Sequence, residues 1–226
     1  MTLKAILFGS IGTLVETSDI QRRAFNRAFT EADLDWNWNI DTYKMLLAKS
    51  GGRKRIQDYA IQKNIDVNAK KIHQRKTEIF DDLMANGNLP LRLGVNDVIQ
   101  FAIKTNIKLA FVTSTSQANI DTVLSALSSQ IKRDDFAFIG NDAMVTKPKP
   151  SSEIYTKALF NLGLSPQNCI AVEDTETSMQ AALTARIRCI AFPGTYATKQ
   201  DFNGALLTTS CLTPDNFINS THKNTF

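Results

Sequence analysis

The sequence predicts an α/β fold: a doubly wound parallel sheet whose first strand is followed by an inserted helical domain. Three observations carry that prediction. An apolar run near the N-terminus, Leu3-Lys4-Ala5-Ile6-Leu7-Phe8, stops at a tight Gly-Thr-Leu turn. A long stretch with helical spacing alone comes next. Beyond Pro90, helix-spaced segments and short apolar runs alternate, the pattern of parallel strands joined by helical crossovers.

In order, the run from about Leu3 to Phe8 reads as a buried strand. The helical block extends roughly from Ser18 to Asn86. Its first helix carries Ile20, Ala24, Phe25, Ala28 and Phe29 at helical spacing. Asp41-Thr42 is suited to cap a second helix bearing Tyr43, Leu46 and Leu47. Arg55 to Lys63 and Ala69 to Met84 form two more, and Asn86-Gly87-Asn88 with Pro90 breaks the pattern. Helices are then expected over Gly94–Thr105, Gln117–Leu127, Ser152–Leu162 and Ser178–Ala185. Strands are expected over Ile107–Val112, Phe136–Ile139, Cys169–Val172 and Cys189–Phe192. The core therefore comprises residues 1–14 and 91–226, and residues 15–90 form a helical cap, expected as a lid over the sheet's carboxyl edge. The polar tail from Asn219 is expected to fray.

Hydrophobic residues make up 43% of the 226, enough for a real core. No apolar run approaches the roughly 18 residues of a membrane span, and the N-terminus leads into a strand rather than a signal peptide. Cys169, Cys189 and Cys211 are odd in number and lack C-x-x-C spacing, so they read as reduced thiols of a cytoplasmic protein. His73 and His222 are isolated, which argues against a histidine metal site or a Ser-His-Asp triad. Between Lys44 and Lys76, cations far outnumber Asp58 and Asp66. Most read as solvated helix faces, but Gly51-Gly52-Arg53-Lys54-Arg55 at a loop-to-helix junction suits an anionic group. No aromatic interleaving accompanies these charges, so nucleic acid is not the expected partner.

Four short segments end at the carboxyl edge of the predicted sheet. The first is Phe8-Gly9-Ser10-Ile11-Gly12-Thr13-Leu14. The second is Val112-Thr113-Ser114, whose hydroxyls suit a phosphoryl oxygen, although Ser and Thr also cap helices. In the third, Thr146-Lys147-Pro148-Lys149-Pro150, Lys147 offers a held positive charge, with a rigid turn as the plainer reading. In the fourth, Val172-Glu173-Asp174-Thr175, two adjacent carboxylates after an apolar strand suit Mg²⁺, or simply an acidic helix start.

The order strand-G-T-L, strand-V-T-S, T-K-P-x-P and strand-V-E-D-T resembles the four motifs of the haloacid dehalogenase superfamily of phosphotransferases. Further segments, among them Gln21 to Asn26, Tyr43 to Leu47, Leu89 to Val95 and Asp201 to Ala205, resemble its CbbY-type branch. That branch contains phosphatases for sugar bisphosphates, notably xylulose-1,5-bisphosphate, and stands close to β-phosphoglucomutase. The resemblance implies a Rossmann-like core, a helical cap, Mg²⁺ and a covalent aspartyl-phosphate intermediate. The first motif, F-D-x-D-G-T-L in the family, has Gly9 at the nucleophile position and Ile11 at the general acid/base position. The first cap helix, roughly E/D-T-E-x-x-H in the family, reads Glu16-Thr17-Ser18-Asp19-Ile20-Gln21. Ser151 follows T-K-P-x-P where an Asp is usual, and Ser178 and Arg186 replace two glycines.

By resemblance, the phosphate-binding residues are Ser10, Gly12, Thr113, Ser114 and Lys147, the cap's substrate-binding residues are Arg55, Glu16 and Gln21, and the metal ligands are Glu173 and Asp174. With one carboxylate missing, Mg²⁺ is expected to be held weakly or not at all, and Lys147 is expected to turn toward Asp174. Backbone N–H groups from Ser10 to Gly12 still suit phosphate. Alternation along the chain points Ser10 away from the direction shared by positions 9 and 11. Phosphoryl transfer needs an in-line nucleophile and a proton carrier, and Gly9 and Ile11 supply neither. The favoured expectation is a catalytically impaired relative that binds phosphate or a phosphorylated small molecule. A protein partner is compatible with such a role. A working Mg²⁺-dependent phosphatase using Ser10, Glu16 or Asp19, or a metal-bound water, is the alternative; a degenerated or engineered variant of an active phosphatase is a third.

Overall fold

The computed structural model describes residues 2–47, 51–85 and 89–218. The chain divides into two compact units, Met1–Glu16 with Leu89–Phe226, and Thr17–Asn88. The first unit opens with strand β1 (Ala5–Phe8) and a single helical turn, α1 (Ile11–Leu14). After the insertion it continues through α6 (Val95–Lys104), β2 (Lys108–Val112), α7 (Gln117–Ala126), β3 (Phe136–Gly140), α8 (Glu153–Leu162) and β4 (Cys169–Glu173). It closes with α9 (Glu176–Thr184), β5 (Arg188–Ala191), β6 (Leu207–Thr208) and α10 (Pro214–Ile218). The second unit contains α2 (Ser18–Thr30), α3 (Ile40–Leu46), α4 (Gly52–Lys63) and α5 (Ala69–Ala85).

The sheet has the order β3-β2-β1-β4-β5-β6, with every pairing parallel. β1 lies between β2 and β4, with Phe8 opposite Phe111 on one side and Val172 on the other. Helices on both faces bury β1 and β4 completely, which is why these strands read as unbroken apolar runs. The chain winds outward from β1 through β2 to β3 and then crosses to β4. The strand order therefore reverses beside β1, and a crevice opens outside the carboxyl ends at such a point. Glu173 ends β4, and Gly9 extends β1 by donating its N–H to the Val172 carbonyl (2.9 Å).

The helical unit is organised around aromatic rings. Trp38 packs edge-on against Phe29 (centroids 4.6 Å apart) and tilted against Phe25 (4.9 Å). Helix α3 is capped by Asn39, whose side chain accepts from the Thr42 N–H (2.8 Å), and Asp41 lies inside the first turn. The expected Asp41-Thr42 cap is thus two residues late. Asn39 takes the position because it is extended, while Asp41 is already helical. At the start of α4, a side chain on Gly52 would run into the His73 imidazole, which would have to shift.

Five helices end alike. Asp33, Asn64, Asn106, Gly163 and Arg186 take left-handed conformations after α2, α4, α6, α8 and α9. Each is followed by an apolar residue whose N–H returns to the carbonyl five residues earlier: Leu34 to Phe29, Ile65 to Ala60, Ile107 to Ala102, Leu164 to Leu159 and Ile187 to Ala182. This bond satisfies a carbonyl that the helix end leaves without a partner.

The short elements α1, β6 and α10 have too few residues to generate a period and were not anticipated. The tail from Asn219 lies outside the described residues. Among the described residues, no helix is long and apolar enough to cross a membrane.

Candidate functional site

At the carboxyl ends of β1 and β4, the space beside Gly9 is filled by another residue. A Cβ on Gly9 would fall on the carboxyl group of Glu173 and the hydroxyl of Tyr155. Glu173 is completely buried. Its Oε1 accepts from Lys149 Nζ (2.6 Å) and from the Tyr155 hydroxyl (2.6 Å), and Lys149 Nζ also donates to the Gly9 carbonyl. Glu173 Oε2 has no hydrogen-bond partner among the described residues. Burial pushes the Glu173 carboxyl up, against the pull of Lys149, and pushes the Tyr155 hydroxyl well above its ordinary range.

Asp174, the next residue, faces the other side of the first motif. Its Oδ1 accepts from the Ser10 hydroxyl (2.7 Å), and a Cβ on Gly12 would meet its carboxylate. Burial raises the Asp174 pKa, opposed first by the Ser10 hydrogen bond. Alternation sends Gly9 toward Glu173 and Ser10 toward Asp174, so Ser10 points at an acid rather than away from the site. Ile11 begins α1, and its carbonyl accepts from the Val15 N–H (3.0 Å). Buried Thr13 donates from its hydroxyl to the Ser10 carbonyl (2.7 Å).

The lysine in this site is Lys149 and not Lys147. Lys147 is exposed, and its N–H donates to Glu153 Oε2 (3.0 Å), whereas Lys149 is 7% exposed. The expected turn of Lys147 toward Asp174 does not occur, because Lys149 and Ser10 already satisfy the two acids. A signal for this register lay in the sequence. An acid four residues beyond the motif lysine is Glu153 counted from Lys149, where counting from Lys147 gives Ser151. Glu153 also binds the Thr146 N–H (3.0 Å) and hydroxyl (3.1 Å), fastening the loop before Lys149. Thr113, just past β2, is buried and accepts from the Thr115 N–H (3.2 Å), and Ser114 is half-buried beside it.

A model of the family described as haloacid dehalogenase-like hydrolase matches residues 6–192. The chain belongs to this family. A CbbY protein of Cereibacter sphaeroides is 38% identical over 206 residues, covering 90% of each chain. One from Rhodobacter capsulatus is 34% identical, covering 91% of this chain and 92% of its own length. The crystal structure of CbbY from Rhodobacter sphaeroides in complex with phosphate superposes with a TM-score of 0.86 at 37% identity, over 93% of this chain and 95% of the other. A mutant of that CbbY, crystallised with xylulose-(1,5)bisphosphate, superposes equally well, with a TM-score of 0.86.

Haloacid dehalogenase-like phosphatases generally use Mg²⁺, and the residues present test whether this member suits it. Glu173 and Asp174 are two carboxylates; no cluster of three His, Cys, Asp or Glu side chains suited to a metal occurs among the described residues. The Lys149 ammonium contacts both Glu173 and the Gly9 carbonyl, two oxygens a hard cation would seek. A positive charge at that point repels a dication. The unpartnered Glu173 Oε2 and the Asp174 carboxylate are the oxygens left in favour, and both stand beside that ammonium or the Ser10 hydroxyl. The donor set does not fit a firmly held divalent ion.

Each residue that the resemblance assigns to substrate binding through the cap is engaged within its own unit. Glu16 belongs to the core unit, where its Oε2 accepts from the Thr195 N–H (2.6 Å). Arg55 is buried, donates to the Leu46 carbonyl (2.9 Å) and lies over the Tyr43 ring (5.7 Å). Gln21 accepts from Lys76, which sequence reasoning missed. Lys76 is 5% exposed, set over Phe25 (5.0 Å) and Phe80 (4.9 Å), and burial lowers its pKa to about 8. The glycine-cation segment also disperses: Lys54 pairs with Asp58 (2.7 Å), Arg53 is exposed and Arg55 is buried. In the core, Arg92 donates to the carbonyls of Gly12 (2.6 Å), Phe192 (2.8 Å) and Pro193 (2.6 Å), holding the first-motif turn against the end of β5.

Proposed function

We propose that this chain is a CbbY-like protein that binds phosphate, or a phosphorylated sugar of the xylulose-bisphosphate class, with phosphate-ester hydrolysis severely impaired. One observation carries the reading. Where the family's first motif supplies a nucleophilic carboxylate, position 9 is a glycine, and its space holds the Glu173 carboxyl group fastened to Lys149 and Tyr155. That carboxyl is anchored by two hydrogen bonds on Oε1, and position 9 itself offers no oxygen for in-line attack on phosphorus. Ile11 carries no transferable proton. The similarity to CbbY structures that hold phosphate and xylulose-bisphosphate supports the ligand class.

The test is phosphate release from xylulose-1,5-bisphosphate with Mg²⁺ present. Removing a nucleophile elsewhere lowers rates by about 10⁴–10⁶-fold, and a loss of that size relative to a CbbY enzyme is expected. Turnover in the ordinary enzyme range, roughly 1–10³ s⁻¹, overturns the proposal.

A second reading has its own observation. The Ser10 hydroxyl lies 2.7 Å from Asp174, whose raised pKa makes it a better base. Under that reading the chain turns over slowly, and Ser10→Ala abolishes the activity; turnover that survives Ser10→Ala excludes it.

A further inference from the structure

We infer that the Lys149 ammonium is the resident cation of this site, and that phosphate binds there without a divalent metal. The inference rests on the phosphate-binding reading above and goes beyond it by fixing what neutralises the anion. Phosphate needs positive charge at the strand ends, and the family generally supplies part of it as Mg²⁺. Here the two carboxylates at the end of β4 are each engaged at one oxygen by a neighbour of this chain: Glu173 Oε1 by Lys149 and Tyr155, Asp174 Oδ1 by Ser10.

Lys149 is fixed in place. It is 7% exposed, lies over the Tyr155 ring (4.9 Å) and donates to Glu173 and to the Gly9 carbonyl. An ammonium has three N–H donors, and these two oxygens use two of them. A lysine held on two sides provides its charge without the ordering cost of an exposed side chain. Gly9 and Lys149 belong together in this account. A carboxylate at position 9 would take the space of the Glu173 carboxyl group and supply the missing metal ligand.

The experiment uses the full chain, stripped of metal with a chelator. Inorganic phosphate is titrated with and without Mg²⁺ while thermal unfolding is followed. An equal rise in melting temperature in both series is expected, on the order of 5 °C at phosphate about 100 times its Kd. A rise only when Mg²⁺ is present overturns this inference and leaves phosphate binding standing. No rise in either series overturns both. The double variant Lys149→Met, Glu173→Gln removes the charge pair without stranding one buried member. It is expected to weaken phosphate binding at least 10-fold, and unchanged affinity overturns the inference. Should that variant fail to fold, Mn²⁺ binding by paramagnetic resonance decides independently. The natural chain is expected to leave millimolar Mn²⁺ free, and binding there at micromolar Kd overturns the inference. Gly9→Asp is expected to gain at least 10-fold in Mn²⁺ affinity, and no gain counts against the coupling of Gly9 to Lys149.

Discussion

Lys76 shows how a single buried charge sets its own pH response. Its amine loses water on burial, and Arg55 nearby also disfavours the proton, while Asp81 favours it. The folded chain therefore releases this proton near pH 8, whereas the unfolded chain keeps it to about 10.5. Between these values the unfolded state binds more protons, so stability rises with pH; below about 8 the whole cost of the charge is present. The rise amounts to about 3 kcal/mol. Both tryptophans, Trp36 and Trp38, lie in the helical unit, so their fluorescence during urea unfolding reports on it. Natural protein is expected to gain stability between about pH 8 and 10, and Lys76→Met is expected to lose that gain. At this scale the sequence disclosed Gly9, Ile11, Glu173 and Asp174 as the residues around which the site turns, because their motif follows strands legible as apolar runs. Lys149 is harder to read, because Lys147 and Lys149 each precede a proline, and only the acid four residues beyond, Glu153, and burial separate them. Tyr155, Lys76 and Arg92 act through contacts distant in the chain, which no spacing rule records.

At the scale of elements, the long strands and helices follow periodicity closely. β4 is buried throughout and β2 and β5 beyond their first residue, and continuous apolar runs express that condition; β3, at the sheet edge, alternates buried and more exposed residues. Helix ends carry an equally local signal. Asp, Asn or Gly followed by Leu or Ile closes four of the five left-handed ends, and Arg186-Ile187 closes the fifth. Arginine pays a steric cost in that conformation that glycine does not, and Arg186 is exposed, so its side chain is not needed for packing. Arg186→Gly is expected to stabilise the core by up to about 1 kcal/mol, because relief of the steric cost outweighs glycine's entropy. Chemical denaturation followed by far-ultraviolet circular dichroism measures it, and a loss of stability contradicts it. Of the three short elements without a period of their own, β6 is held by its neighbour: Leu206 and Thr209 donate to the β5 carbonyls of Cys189 and Ala191.

For the molecule as a whole, the relevant feature is where the chain leaves its core and returns. The core unit ends at Glu16 and resumes at Leu89, and the Arg92 N–H donates to the Leu14 carbonyl (2.8 Å). Arg92's guanidinium then binds three carbonyls of the same unit. Departure and return are thus joined without any help from the residues between them. Deleting Thr17–Asn88 and linking Glu16 to Leu89 through about three small residues costs little closure entropy. The shortened chain is expected to unfold cooperatively, as seen by circular dichroism; a gradual, non-cooperative loss of signal contradicts this. The consequence reaches past stability. A sheet that clasps its own loose ends is a socket: helical attachments of other sizes can be spliced in or traded away while the six strands keep their order.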